Sequence, residues 1–299
     1  MKPLSTFSPD YEISPRLVDV DRVVRATGTV QIGAFRCPVV HPAFADSGPI
    51  RNPCFVFPRT PVVIRHRDAQ PFAADPTLVT LYNQGQEYGR VAVSPDGDLC
   101  DWYAISPELL REAVAAYDPA AADEDRPIRF PFVRTDAAIY LHQRRFFTAI
   151  LRTPELDGFQ VDESVFELLD RVLMRAYGRP RDGAALDKST RPELIRDICE
   201  LMGRRFVEAL TLTDVARALG VSVFHMCRTF RKATGTTIHA YRNQLRLRTA
   251  LARLEDADCD LSQLALDLGF SSHSHFTASF RAAFGKPPSA TRRDIRATS

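Results

Sequence analysis

Apolar and polar residues alternate in short runs through the first third of the chain. TVQIGAFR (Thr29–Arg36), CFVF (Cys54–Phe57), VVIRH (Val62–His66), LVTLY (Leu78–Tyr82), RVAV (Arg90–Val93) and LCDWYAI (Leu99–Ile105) carry the period of two, or the short apolar run, of a strand. Between them fall PRTP, NQG and PDGD, whose Gly, Pro, Asn and Asp residues turn the chain. Many short strands at this spacing predict a sandwich, a jelly roll or a small barrel. From Pro107 the period lengthens. TDAAIYLHQRRFFTAIL (Thr135–Leu151) and DESVFELLDRVLMRAY (Asp162–Tyr177) repeat apolar residues three and four apart, as amphipathic helices do. GRPRDGAALDKSTRP (Gly178–Pro192) has the composition of an exposed linker, and the pattern beyond it is helical throughout.

Proline draws the same boundary. Eighteen of the 21 prolines precede Arg191, and only Pro192, Pro287 and Pro288 follow. Because proline interrupts helices and central strands alike, short elements belong before that point and long helices after it.

Composition narrows the class. At 299 residues the chain is long enough for two domains with their own cores. Its 45% hydrophobic and 25% charged residues exclude wholesale disorder. No apolar run approaches the roughly 18–20 residues of a membrane span. MKPLSTFSPDYEISP lacks a basic segment followed by an apolar one, so no signal peptide is expected and a cytoplasmic location is. The six cysteines are scattered without a CxxC pair, which favours free thiols over a disulfide framework.

Charge is asymmetric. Up to Thr190, 22 Lys and Arg stand against 26 Asp and Glu; from Arg191 onward the counts are 17 and 11. Thr211–Leu254 alone holds eight basic residues and one acid, Asp214. A basic half joined to an acidic half points to a polyanion as partner of the C-terminal part.

Two segments of that part repeat one another: LTDVARALGVSVFHMCRTFRKATG (Leu212–Gly235) and LSQLALDLGFSSHSHFTASFRAAFG (Leu261–Gly285). In each, a short helix with a small residue (Ala216, Ala265) meets a glycine (Gly220, Gly269) able to take the positive φ that ends it. Ser222 or Ser272 then serves as N-cap of a second helix. Met226 and Phe230, or Phe276 and Phe280, stand at i and i+4 and face the first helix. Each unit reads as a helix-turn-helix, whose second helix enters the major groove of DNA. An apolar and arginine-rich helix, Ile238–Leu254, joins the two. His273 and His275 look like a metal patch, but at i and i+2 they stand roughly 200° apart on a helix and cannot share one ion.

These residues carry a resemblance. From about Thr211 to Arg293 the chain resembles the DNA-binding domain of the AraC family of transcriptional regulators, through Leu212, Ala216, Gly220, Phe230, Gly235, Tyr241, Arg246, Leu247, Ala250, Leu254, Ala265, Gly269, Phe270, Phe276, Phe280, Gly285, Pro288 and Arg292. The resemblance implies two recognition helices about 34 Å apart on one face of the duplex. It places Val223, Phe224, Cys227 and Arg228 toward the groove. Arg228 suits guanine O6 and N7, with a phosphate contact as its alternative. Phe224 either touches a thymine methyl or packs inward. Arg231, Lys232, Arg242 and Arg281 are expected to neutralise phosphates, and Arg246 either does so or braces the two motifs. In the second helix His273 and Ser274 fall in the first turn, and Ala278 stands where the first carries Arg228, so its grip is expected to be weaker.

The resemblance further implies a two-domain α+β fold. It comprises a cupin-like N-terminal β-barrel with flanking helices over residues 1–178, a linker over 179–192, and an all-α domain of two helix-turn-helix motifs over 193–299. Its partners are double-stranded promoter or operator DNA, a small-molecule effector, RNA polymerase and a second copy of the chain, with no cofactor and no enzymatic activity. The barrel interior is read as lined by Phe55, Phe57, Val63, Leu81, Trp102 and Tyr103, with Phe55, Phe57, Tyr82 and Trp102 as effector contacts. Thr135–Leu151 and Asp162–Tyr177 are either a dimer surface or packed on their own barrel. Cys37 and His41, spaced Cys-x3-His, with Cys54 and Cys100, leave open a second reading, in which a zinc or thiol site reports alkylation or oxidation through the same DNA-binding domain.

Overall fold

Strands occupy the first third of the chain. They are β1 (Asp21–Ala26), β2 (Val30–Cys37), β3 (Cys54–Pro58), β4 (Val62–His66), β5 (Phe72–Ala74), β6 (Leu78–Tyr82), β7 (Tyr88–Ala92) and β8 (Asp98–Ile105). Helices α1 (Pro107–Ala115) and α2 (Pro119–Ala122) follow, then β9 (Phe132–Arg134), α3 (Ala137–Arg152) and α4 (Gly158–Tyr177). The remainder is helical: α5 (Pro192–Arg205), α6 (Leu212–Ala218), α7 (Val223–Thr234), α8 (Ile238–Arg253), α9 (Leu261–Asp267), α10 (His273–Phe284) and α11 (Pro288–Ala297). The computed structural model describes residues 17–67, 69–153, 156–178, 191–254 and 260–297, so Cys259 and nearly all of the expected linker lie outside the described residues.

The strands form an antiparallel six-stranded sheet in the order β1-β2-β8-β3-β6-β9 and a three-stranded sheet in the order β5-β4-β7. The expected barrel does not close, because no named strand of one sheet pairs with a strand of the other. Proline supplies a reason. Pro71 and Pro76 bracket the three-residue β5, and neither has an N–H with which to extend a ladder. Strands β1, β5 and β9 escape a periodicity reading because DRVVRA is half charged and the other two are only three residues long.

Both faces of the large sheet are covered. Along one, Val56, Leu78, Tyr82, Cys100 and Trp102 join Val62, Ile64 and Phe72 of the small sheet in one apolar layer. Along the other, Phe55, Phe57, Val79, Leu81, Tyr103 and Ile105 pack with α3 and α4. LVTLY is consequently buried at every position.

Helix α3 is the hinge between the halves of the molecule. Asp136 caps it, accepting from Ile139 N at 3.0 Å. Inward, it meets the sheet through an ionic cluster in which Arg144 pairs with Asp101, Gln143 Nε2 reaches Asp101 Oδ2 at 3.1 Å, and Arg36 holds Asp101 Oδ1 at 2.7 Å. Burial pushes the Asp101 carboxyl up, but Arg144, Arg36 and Arg59 outweigh it and hold the group below the usual carboxylate range. Outward, α3 packs against α8 and α10, and one apolar core runs from the sheet through α3 into Leu247, Leu251, Phe276 and Phe280. Thr135–Leu151 thus packs on the sheet and on the C-terminal helices of its own chain.

Candidate nucleic-acid interface

The first repeat folds as α6, a turn and α7. Thr211 and Asp214 form a reciprocal cap, with Asp214 N donating to Thr211 Oγ1 at 3.2 Å and Thr211 N to Asp214 Oδ2 at 3.0 Å. Gly220 turns the chain at φ +65°, and Ser222 caps α7 by accepting from His225 N at 3.2 Å. Met226 and Phe230 are fully buried against α5 and α8. The second repeat, α9 and α10, has Gly269 at φ +75°, Ser272 accepting from His275 N at 3.1 Å, and Phe276 and Phe280 fully buried. The two glycines are not equivalent. A Cβ on Gly220 would meet nothing, whereas one on Gly269 would overlap the Val207 carbonyl.

Through Arg246, helix α8 ties the segment just ahead of α6 to the turn of the second unit. The Arg246 Nε donates to the Phe206 carbonyl at 2.7 Å and its Nη1 to the Gly269 carbonyl at 2.8 Å, with Nη2 3.4 Å from the Val207 oxygen. Burial lowers its pKa to about 10, which leaves the guanidinium charged at neutral pH and able to satisfy several carbonyls at once. Of the two roles expected of Arg246, bracing is the one the contacts express.

The outward faces carry most of the expected residues. Phe224 is 75% exposed, so its ring points away from the core, and Arg228, Arg231 and Lys232 are exposed beside it. Val223 and Cys227 are half-buried at the edge of the core. On α10, His273, Ser274, Ala278 and Arg281 are exposed. His275 turns back to the preceding turn, its Nδ1 3.1 Å from Ser271 Oγ and its ring edge-on to Phe270 at 5.5 Å. Arg242 departs from expectation. It is half-buried and donates to the Leu210 carbonyl at 2.9 Å instead of standing out for phosphate. The spacing explains this, since Arg242 and Arg246 are i and i+4 on one helix face, which looks onto residues 206–210.

A model of a helix-turn-helix domain matches residues 215–294. The regulatory protein SoxS of Salmonella typhimurium is 30% identical over 103 residues, covering 34% of this chain and 96% of SoxS. The chain belongs to the AraC family of transcriptional regulators. Its similarity to the regulator GlxA of Rhizobium meliloti is 32% over 116 residues, 38% of this chain and 36% of GlxA. A solved AraC-type regulator from Chromobacterium violaceum is 30% identical, covering 34% of this chain and 92% of that one, at a TM-score of 0.33. The AraC-family chain spans between 36% and 58% of the length of three of the curated relatives it matches, GlxA among them.

In the N-terminal part of this AraC-family chain, a cavity of about 120 Å³ lies between the two sheets. Asp21, Phe35, Tyr82, Tyr88, Cys100 and Trp102 are among its walls. Trp102 Nε1 donates to Asp21 Oδ1 at 2.7 Å. Gly33 stands opposite Trp102 in register, and a Cβ there would overlap the indole, so glycine is what lets the ring lie flat on the sheet.

Two of the four expected effector contacts, Tyr82 and Trp102, line this cavity; Phe55 and Phe57 do not. Val56 pairs with Trp102, so its neighbours Phe55 and Phe57 point to the opposite face, where both pack on Tyr103. The same parity removes Val63, Leu81 and Tyr103 from the lining. Alternation shows which residues share a face, but when both faces are buried it does not show which one holds the space. Asp21 had no signal at all, being one acid in a strand that the pattern missed.

The thiols give the second reading little to work with. Burial pushes Cys54 up to about 12 and Cys100 well above the usual thiol range, which suppresses the nucleophilic thiolate. His41 Nδ1 accepts from Ala43 N at 3.2 Å, and no group of three metal-ligating side chains assembles among the described residues.

Proposed function

We propose that the chain is a sequence-specific DNA-binding regulator controlled by a small effector. Residues 193–299 read the duplex and residues 1–178 hold the effector in the cavity between the sheets, with 179–192 as linker. No catalytic step is assigned to it. The observation that carries the reading is the pair of capped helix-turn-helix units joined by α8, which packs on both α7 and α10; the first recognition helix exposes Phe224, Arg228, Arg231 and Lys232 together.

Arg228 takes the base-reading role, because a guanidinium can hold guanine O6 and N7 at once. Phe224 supplies apolar contact to a thymine methyl, flanked by Val223 and Cys227. Arg231, Lys232 and Arg281 neutralise phosphates. His273 and Ser274 meet bases through the second helix, where Ala278 offers no guanidinium and the grip is weaker. RNA polymerase and a second copy of the chain complete the set of partners.

Selection from a random duplex pool tests this directly. Enriched sites are expected to hold two sequence elements about 10 base pairs apart, the first more constrained. Binding to them should weaken steeply with added salt. A pool that gains no shared element after repeated selection by folded protein would overturn the reading.

A further inference from the structure

We propose that the cavity between the two sheets takes a small monocyclic aromatic amine, with the ring among Trp102, Tyr82 and Tyr88 and the ammonium on Asp21. The inference rests on the effector-sensing half of the proposed function and names the chemical class that half would recognise.

Size comes first. A dry apolar cavity of about 150 Å³ holds benzene, so about 120 Å³ corresponds to one ring and little more. The walls suit such a ring: Tyr82 and Tyr88 stand 4.8 Å apart, Phe35 and Trp102 face the same space, and Val56 and Ile64 complete the apolar surface. Aromatic faces carry negative π density, which attracts a cation as well as an apolar body.

Charge then selects among single rings. Asp21 has no salt-bridge partner among the described residues, and its one strong contact is the Trp102 indole N–H. The second acid of the cavity, Asp98, is buried and already matched by Arg90 at 2.8 Å, whereas Asp21 is half-buried. Arg90 is further spent on the Phe44 and Ala43 carbonyls at 2.8 and 3.0 Å. Arg51, also on the lining, is exposed, so water screens its charge. Asp21 is therefore the carboxylate at the aromatic wall that makes no direct ion pair, with Arg90 acting on it only from a distance. A ligand carboxylate would face repulsion there, a plain hydrocarbon would leave the acid unpaired, and an ammonium would find both a carboxylate and π faces. Burial raises the Asp21 carboxyl to about 6, so it is ionised at neutral pH and ready for such a partner.

Benzylamine, phenylacetate and toluene, each titrated into the full chain at about pH 7.5, separate these cases. Trp102 is the sole tryptophan and reports on the cavity wall. Benzylamine is expected to change its fluorescence saturably and to raise the melting temperature. Phenylacetate should do neither, and toluene should bind roughly tenfold more weakly or worse. Asp21→Asn should cut benzylamine affinity by roughly tenfold or more and leave toluene binding as it was. Phenylacetate binding as well as benzylamine, a response to none of the three, or an undiminished benzylamine response in a folded Asp21→Asn variant would overturn the assignment. Should that variant not fold, the ranking of the three ligands on the natural chain decides alone. DNA selection run in parallel separates the two readings: selected DNA without amine preference ends only the ligand class, and amine preference without selected DNA ends only the regulator.

Discussion

Arg248 of α8 donates to the Thr135 carbonyl at 2.6 Å, joining the helix that links the two helix-turn-helix units to the corner where β9 turns into α3. The same guanidinium reaches the Pro76 carbonyl and stacks over Tyr140 at 5.2 Å. Seven residues earlier, on the same face of α8, the Tyr241 hydroxyl donates to Asp75. Helix α8 thus turns one face to the N-terminal half through Tyr241 and Arg248, and another to residues 206–210 and Gly269 through Arg242 and Arg246. The two halves are fastened by buried polar contacts, which are costly to leave unsatisfied.

Tyr241→Phe should therefore destabilise the chain by about 1–3 kcal/mol, because Asp75 Oδ2 loses the hydroxyl donor while the carboxyl stays buried, with only Oδ1 still held by Thr77 N. Arg248→Met should cost more, since two carbonyls and a threonine hydroxyl lose a charged partner. Denaturant unfolding followed by circular dichroism measures both. Variants as stable as the natural chain would show that these contacts do not hold the halves together.

Gly220→Ala and Gly269→Ala make a matched pair. Both residues sit at positive φ, which costs an alanine about 1–2 kcal/mol. Only at Gly269 would the new Cβ also overlap the Val207 carbonyl and crowd Arg246 Nη2. The second substitution is expected to cost clearly more, and equal losses in thermal unfolding would contradict the packing described for that turn.

On DNA, Arg228→Ala should relax preference at one base position at a cost of about 1–3 kcal/mol. Lys232→Ala should instead weaken selected and scrambled duplexes alike and flatten the salt dependence. Fluorescence anisotropy on both duplexes at several salt concentrations reads the difference. An Arg228→Ala variant that loses the same affinity on both would remove that residue from base reading.

Asp21 predicts a pH effect of definite sign. Its folded pKa of about 6 lies above the ordinary 3.8, so between those values the folded chain holds a proton that the unfolded chain releases. Stability assigned to this group is full below about pH 4 and declines as the pH rises to about 6. Asp21→Asn should raise stability at pH 7.5 by about 1–2 kcal/mol, after allowing for partial solvent access and a weaker Trp102 contact. The gain should vanish near pH 4. A gain that grew on acidification would reverse the assignment.

Local rules were legible wherever a segment's own chemistry decides its shape. The two turns, their serine caps and their i, i+4 cores were all readable, because a positive-φ glycine, a capping hydroxyl and a 3.6-residue period act within a dozen residues. Arg242 was readable in principle, since it shares a helix face with Arg246. Phe55 and Phe57 were not, because a strand buried on both faces gives the same pattern whichever face holds the cavity.

The sequence by itself determined two helix-turn-helix units, a joining helix and a strand-rich half, since capping, turn chemistry and periodicity are short-range. Only the tertiary structure decided that the sheets stay open, that Asp21 and Trp102 meet in a cavity, and that α3 packs between the sheet and the helix-turn-helix units. Those outcomes depend on which buried faces oppose each other. Contacts such as Tyr241 with Asp75 join residues 166 apart, and no local pattern encodes so distant a partner.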